Sequence, residues 1–115
     1  MTIIKADTLL AILLTFMKRV TFRSLRQLRN MMLDKNKDVV LDISAPSIQQ
    51  AIDNYPNIFM FGNDGHLAFI KRANGSKCFF ASDYIRDEFI SSVPDNVVDD
   101  ITKCYLKIDQ SKGDV

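Results

Sequence analysis

Positively charged side chains are concentrated in two parts of this 115-residue chain. Residues 18–29 hold five cations and no carboxylate, and residues 71–77 hold three more cations. Guanidinium and ammonium groups bind phosphate, and several of them on one surface can follow a nucleic-acid backbone. The alternative, which the sequence leaves open, is a set of solvated cations that balance an acidic C-terminal part. The candidate nucleic-acid-binding residues are Arg19, Arg23, Arg26, Arg29, Lys71, Arg72 and Lys77.

Residues suited to catalysis or metal binding are few and scattered. The sequence has none of the nucleophile, phosphate-loop or zinc-protease motifs. The single histidine, His66, lies at a glycine turn with Asp64, where contact between the two is incidental. Asp99 and Asp100 are neighbours on a predicted helix surface and do not form a metal cage. We therefore expect a binding module and not an enzyme, with no catalytic residue, no metal and no cofactor.

The cysteines and the apolar N-terminal run bear on the compartment. Cys78 and Cys104 lack metal-ligand spacing and are expected to be free, buried thiols in a reducing compartment. Residues 9–17 are largely apolar, but Lys18 and Arg19 follow directly and no small-residue cleavage site is present. The run is also far shorter than the roughly 20 residues of a membrane span. These features predict a buried helix in a cytoplasmic or nuclear protein, of which we favour the cytoplasmic, and no membrane partner.

Two helices are predicted to position the first group of cations. The first spans residues 8–18, is capped by Asp7 or Thr8, and has a wide apolar face. A β-prone stub over residues 20–22 follows and is expected to pair beside a later hairpin. The second helix spans residues 23–33, with Arg23, Arg26 and Asn30 away from its apolar face. That apolar face consists of Phe22, Leu25, Leu28 and Met32.

A polar connection over residues 34–42 leads to a third helix and a hairpin. Its Val39-Val40-Leu41 cluster is expected to tuck under the core or to extend a helix end. Ser44 can cap the third helix, Pro46 suits its first turn, and Pro56 ends it. Residues 57–61 and 67–70 are β-prone and flank the turn sequence Gly62-Asn63-Asp64-Gly65. The order predicts an α+β fold, a winged helix-turn-helix of three helices plus a β-hairpin wing, with additional C-terminal helices.

The third helix has a polar side without a cation. This side consists of Ser47, Gln49, Gln50, Asp53 and Asn54. Gln and Asn can contact adenine edges in a DNA major groove, but Asp53 would repel phosphate. This composition argues against a sequence-specific reader of duplex DNA.

The charge balance divides the chain into two parts. Residues 1–80 carry 11 basic and 6 acidic residues, a net charge of +5, and residues 81–115 carry 4 and 8, a net charge of −4. We assign residues 1–80 to the winged-helix domain and residues 81–115 to a helical extension packed on it. The extension is predicted to hold a helix ending near Ser91, a helix capped by Asp95 that runs to Lys107, and a frayed tail from Gln110. In the second of these helices the apolar positions are Val98, Ile101 and Leu106.

Aromatic residues are frequent around the hairpin and in the segment that follows it. Because side chains alternate between the two faces of a strand, some of Phe59, Met60, Phe61 and Phe69 must point away from the core. Either the C-terminal helices cover that face, or it forms an apolar surface for a protein partner.

The Val-Thr-Phe stub, the leucine-rich second helix and the run from Ser44 to Phe61 together resemble the LOTUS (OST-HTH) winged-helix domain. They also resemble the N-terminal winged-helix region of Egalitarian-type RNA-transport proteins. The resemblance covers residues 8–72. Two departures are the absence of a glycine–proline pattern in residues 34–42 and a long acidic tail.

The resemblance implies a module of germline ribonucleoprotein assemblies. LOTUS domains bind RNA, including folded G-rich RNA, or dock on Vasa-type DEAD-box helicases, and some dimerise. The expected function is therefore RNA binding through the basic surface of the second helix and the wing. The alternative is a protein-interaction or dimerisation domain that uses an apolar surface, with a partner such as a DEAD-box RNA helicase.

Overall fold

Four helices and five short strands make up the part of the chain that the structure describes. The structure is a computed structural model that describes residues 1–14, 19–56, 59–61, 67–69 and 89–113. The fold is small, compact and α+β. The elements are β1 (Thr2–Ile4), α1 (Ala6–Leu14), β2 (Arg19–Val20), α2 (Phe22–Lys35), β3 (Val39–Leu41), α3 (Ala45–Asn54), β4 (Phe59–Phe61), β5 (Leu67–Phe69) and α4 (Asp95–Gly113).

The hairpin and the stub strand form one antiparallel sheet of three strands in the order β2-β5-β4. Strand β4 pairs with β5 from Phe59 opposite Phe69 to Phe61 opposite Leu67. Strand β2 pairs with β5 through Arg19 opposite Ala68 and Val20 opposite Leu67. The predicted antiparallel ribbon and the predicted pairing of the stub beside it are thus confirmed, while the turn residues 62–66 lie outside the described residues.

A second sheet, of two parallel strands, was not predicted from the sequence. Strand β1 pairs with β3 in the register Thr2 to Val39, Ile3 to Val40 and Ile4 to Leu41. The Val39–Leu41 cluster therefore belongs to a strand and does not extend a helix end. The expectation that this cluster tucks under the core is confirmed, since Val39 and Leu41 are buried.

Helix α1 is buried on every side along its middle. Each of the five consecutive residues from Leu9 to Leu13 is at most 1% exposed. The helix begins at Ala6 and not at Thr8, so the cap predicted at Asp7 or Thr8 is wrong. The Lys5 carbonyl accepts the hydrogen bond of the Leu9 amide at 3.0 Å, and Asp7 lies inside the first turn. The end predicted at Lys18 lies outside the described residues.

Helices α2 and α3 begin where hydroxyl caps place them. Thr21 Oγ1 accepts a hydrogen bond from the Ser24 amide at 2.9 Å, so Phe22 is the first helical residue of α2 and not part of a strand. Ser44 caps α3 as predicted, with Pro46 in the first turn. Hydroxyl caps satisfy amides that have no partner within the helix. The predicted buried face of α2 is confirmed, because Leu25, Leu28 and Met32 are at most 1% exposed.

The first residue of helix α4 and its buried face both differ from the prediction. The Pro94 carbonyl accepts hydrogen bonds from the Val97 and Val98 amides, so Pro94 and not Asp95 precedes the first turn. The helix continues to Gly113, through residues predicted to be a frayed tail. Leu106 is 41% exposed, in contrast to its predicted place on the apolar face. The buried face consists of Val97, Ile101, Cys104, Tyr105 and Ile108.

The core is continuous from the N-terminal strand to α4. Helix α4 packs against α2 and α1, and its buried face joins the same apolar cluster as Ile4 and Leu9. Phe89, just before α4, packs edge-on against Tyr55 and Phe59, with ring centroids 4.8 Å and 6.0 Å away. The helix predicted over residues 83–91 lies mostly outside the described residues.

We expect replacement of Ile101 by Ala to lower the free energy of unfolding by about 2–5 kcal/mol. Ile101 is completely buried, so the shorter side chain would leave a cavity in the core. Replacement of Leu106 by Ala should cost less than about 1 kcal/mol, because Leu106 is already 41% exposed in the folded protein. Urea denaturation of both variants measures the difference. Equal costs would show that the face of α4 that packs on the core is misassigned.

Candidate nucleic-acid interface

The exposed face of α2 presents four polar side chains over its first nine residues. Arg23, Arg26, Gln27 and Asn30 are all exposed, and Arg29 is half-buried at the edge of this face. Their direction is fixed from behind, because the opposite face of the helix is held in the core by its buried leucines and Met32. We call Arg23, Arg26, Gln27 and Asn30 the α2 face.

The other predicted basic residues are only partly placed. Arg19 is the first residue of β2, and only Val20 and Thr21 separate it from α2, so its backbone lies near the start of that helix. Its side chain is not described. Lys71, Arg72 and Lys77 lie outside the described residues. The structure thus places Arg23 and Arg26 on one helix face, and their convergence with Lys71, Arg72 and Lys77 stays a prediction.

The charge at the start of α2 opposes the helix dipole, whereas Lys35 in the last turn complements it. The first turn contains Arg23 and no acidic residue, although the exposed amides there carry partial positive charge. A cation at this position costs about 0.3–1 kcal/mol relative to the favourable placement of an anion. No described residue forms an ion pair with Arg23, Arg26 or Arg29. Lys35, at the other end of α2, lies 3.6 Å from Asp100 of α4.

A second polar surface lies beside α3. It is an open groove of about 710 Å³ lined by the polar side of α3, the residues before it and Lys5. Within it, Gln49 Nε2 donates a hydrogen bond to Asp53 Oδ1 at 2.9 Å. The sequence indicated the polar side of α3 but not the contribution of Lys5 and Asp42. The full lining is Lys5, Asp42, Ser44, Pro46, Ser47, Gln49, Gln50, Asp53 and Asn54.

Asp42 organises the floor of this groove. Its Oδ1 accepts hydrogen bonds from the Ser44 hydroxyl at 2.7 Å and from the Ser44 amide at 3.1 Å. Ser47 Oγ in turn accepts a hydrogen bond from the Ala6 amide at 3.1 Å, which supplies a partner for the start of α1. The hydrogen bonds from Ser44, with smaller contributions from Ser47 and the charge of Lys5, lower the pKa of Asp42 below its ordinary value. The ionised Asp42 carboxylate therefore holds Ser44, the residue that caps α3.

Groups that could support catalysis do not converge in the described part of the chain. Among those residues no cluster of three His, Cys, Asp or Glu side chains is placed to hold a metal ion. Cys104 is a free, buried thiol. His66, Asp64 and Cys78 lie outside the described residues. Asp99 is exposed, and Asp100 pairs with Lys35.

The apolar surface predicted around the hairpin is covered at the one position that can be examined. Phe59 is 1% exposed and packs against Tyr55 and Phe89, so the segment before α4 covers it. The side chains of Met60, Phe61 and Phe69 are not described. The outer side of the β1–β3 sheet is different, because Ile3 is 60% exposed there.

The helices that the structure describes include none with both the length and the hydrophobicity needed to cross a membrane. Comparison of the chain with protein-family models, with curated proteins and with solved structures finds no match. The α2 face and the groove beside α3 are the described surfaces whose chemistry bears on function.

We expect the stability contribution of Asp42 to be lost in acid. Since folding lowers its pKa, the contribution is complete above the unfolded-state pKa of about 4 and disappears as the pH falls through the lower folded-state pKa. The variant Asp42→Asn should be less stable at neutral pH and should lose less stability than the wild type below about pH 4. Urea denaturation across this pH range measures both effects.

Asp34, exposed on α2, provides the matched control for this test. The variant Asp34→Asn removes the same charge without removing the hydrogen bonds of Ser44. Identical pH profiles for the two variants would contradict the role given to Asp42.

Proposed function

We propose that the chain is a non-catalytic RNA-binding module with a winged helix-turn-helix fold of the LOTUS type. The order of three helices followed by an antiparallel hairpin, with β2 paired beside it, supports this fold. The observation that carries the function is the pair of exposed arginines, Arg23 and Arg26, on the first two turns of α2.

The placement of these arginines favours an anionic ligand. They share an exposed face and have no ion-pair partner among the described residues, and Arg23 lies in the first turn of the helix, where a cation is disfavoured. A bound phosphate would interact favourably with both guanidinium groups and with the positive end of the helix. Arg23 thus reduces stability in the free protein, and both arginines would stabilise a complex with an anion.

RNA is favoured over duplex DNA as the ligand because of the composition of α3. A winged helix that reads a DNA major groove inserts this helix, but α3 carries no Lys or Arg and exposes Asp53. Binding through α2 and the wing leaves α3 out of any groove. The sequence resemblance to LOTUS domains supports the same choice and suggests a cytoplasmic ribonucleoprotein assembly.

We expect the double variant Arg23→Glu, Arg26→Glu to bind single-stranded RNA at least about tenfold more weakly, since charge-assisted contacts are worth about 1.5–3 kcal/mol each. The slope of log affinity against log salt should fall by about 1.4, from two lost phosphate contacts at about 0.7 each. Fluorescence anisotropy at several salt concentrations measures both quantities.

The control is Lys103→Glu, Lys107→Glu, which makes the same charge change on the exposed side of α4. This control variant should bind single-stranded RNA more tightly than the α2 variant does. The single variant Arg23→Glu should raise the free energy of unfolding by about 0.3–1 kcal/mol, because a carboxylate suits the helix start. Weaker binding in a more stable protein excludes misfolding as the cause. Unchanged binding in the double variant would refute the proposed function.

A second candidate function is protein interaction through the outer side of the β1–β3 sheet. Ile3 is 60% exposed there and lies opposite Val40, which is half-buried. Parallel sheets are ordinarily covered on both faces, so the exposure of Ile3 is unusual. The partner would be a second copy of the chain or another protein, such as a DEAD-box RNA helicase.

We expect sedimentation equilibrium to show mass that rises with concentration for the wild type and a monomer for Ile3→Lys, because a charge on this face prevents apolar contact. The control Leu106→Lys places the same side chain on the exposed part of α4 and should associate like the wild type. A wild type that stays monomeric at all concentrations would exclude the self-association form of this candidate.

A further inference from the structure

Strand β1 has one open edge. Its ladder with β3 uses the backbone of Thr2 and Ile4. The Thr2 amide donates a hydrogen bond to the Asp38 carbonyl at 2.6 Å, and the Ile4 carbonyl accepts one from the Asp42 amide at 2.8 Å. Since successive residues of a strand direct their backbone groups to opposite sides, the amide and carbonyl of Ile3 point away from β3. Neither group has a hydrogen-bond partner among the described residues.

This edge lacks the features that ordinarily prevent strand pairing. Natural proteins protect an exposed edge with a lysine, a proline, a bulge or a covering element. Thr2–Ile4 contains no charged residue and no proline, and its register with β3 runs without a bulge. Ile3 is 60% exposed, so nothing covers its side chain. The edge is therefore open to one further strand.

A second copy of the chain complements this edge. Two residues that each direct an amide and a carbonyl outward form two hydrogen bonds with each other across a two-fold axis. With Ile3 opposite Ile3 of the second copy, the two exposed side chains lie on the same face and cover each other, and each stays beside its own Val40. A foreign strand would pair one open edge, whereas a second copy pairs both open edges at once.

The charges near the edge permit this pairing. Thr2–Ile4 is uncharged, so the paired strands bring no like charges into contact. Lys5, the first residue after β1, lies beside Asp42, the first residue after β3, and the two line the same groove. The cation at the end of each strand is therefore balanced within its own chain.

We propose that two copies of the chain dimerise by antiparallel pairing of their β1 edges, centred on Ile3. The two sheets then join into one sheet of four strands in the order β3-β1-β1-β3. Val40 and Ile3 of both copies form a continuous apolar row on its outer side. This inference rests on the self-association form of the second candidate function, and it replaces contact between two faces with backbone hydrogen bonds across an edge.

A disulfide tests the register directly. Residues opposite each other in a hydrogen-bonded antiparallel pair have Cα atoms about 5.5 Å apart, which a disulfide can bridge. The variant Ile3→Cys, made together with Cys78→Ser, should crosslink to a dimer under mild oxidation, while the remaining Cys104 is buried. Non-reducing electrophoresis measures the crosslinked fraction.

The matched control is Thr2→Cys in the same Cys78→Ser background. In the proposed register the two copies of residue 2 are offset by two residues, at about 3.4 Å each along the strand, and lie on strands about 4.8 Å apart. Their Cα atoms are thus about 8 Å apart, beyond the reach of a disulfide. Thr2→Cys should therefore crosslink much less than Ile3→Cys.

The variant Ile3→Pro separates edge pairing from contact between faces. Proline keeps an apolar side chain but lacks the amide proton, and an edge strand tolerates it where that amide has no partner. Because of the two-fold axis, the substitution removes two hydrogen bonds from the dimer. The dissociation constant from sedimentation equilibrium should rise at least about tenfold. The control Ile3→Val keeps the amide and a β-branched side chain, and should raise this constant less than Ile3→Pro does.

The outcomes distinguish this inference from the proposed functions. Equal crosslinking of Ile3→Cys and Thr2→Cys, or unchanged dimerisation of Ile3→Pro, would overturn edge pairing and leave contact through the outer face of the sheet. If the proline variant does not fold, the crosslinking result decides. A wild type that stays monomeric would remove both edge pairing and self-association. RNA binding through Arg23 and Arg26 would stand in each case, because the α2 variants test it separately.

Discussion

The structure depends on one constraint, which is that α1 is apolar on all sides of its middle turns. Five consecutive residues, Leu9 to Leu13, are almost completely inaccessible to solvent. A helix of this kind must be covered in every direction. Helices α3 and α4 pack directly on α1, and only Lys5 separates β1 from the start of α1. The residues from Leu9 to Leu13 therefore offer no surface to a ligand, and binding is left to the outer faces of the surrounding elements.

The elements defined by local chemistry could be predicted from the sequence. Ser44, Pro46 and Pro56 bound α3 because capping and proline geometry act within a few residues. The spacing of Leu25, Leu28 and Met32 indicated the buried face of α2 for the same reason, and so also indicated that Arg23 and Arg26 point outward.

The elements defined by distant contacts could not be predicted. Strands β1 and β3 have three residues each, and Val39 lies 37 positions after its partner Thr2, so no local pattern shows the pairing. The start of α1 at Ala6 depends on the hydroxyl of Ser47, from another helix. In α4, Val97 and Val98 are equally apolar, and only the positions of α1 and α2 decide which of them is buried. The same limit applies to the groove, because the β1–β3 pairing is what brings Lys5 close to Asp42.

The order in which the chain is made has a consequence for how it folds. The apolar surface of α1 is synthesised before the side chains that cover it, which extend to Ile108 in α4. At about 5–20 residues per second, the ribosome exposes α1 for several seconds before its cover exists. The apolar surface of α1 therefore stays exposed until Ile108 has left the ribosome, and during that interval it is the part of the chain most prone to aggregation.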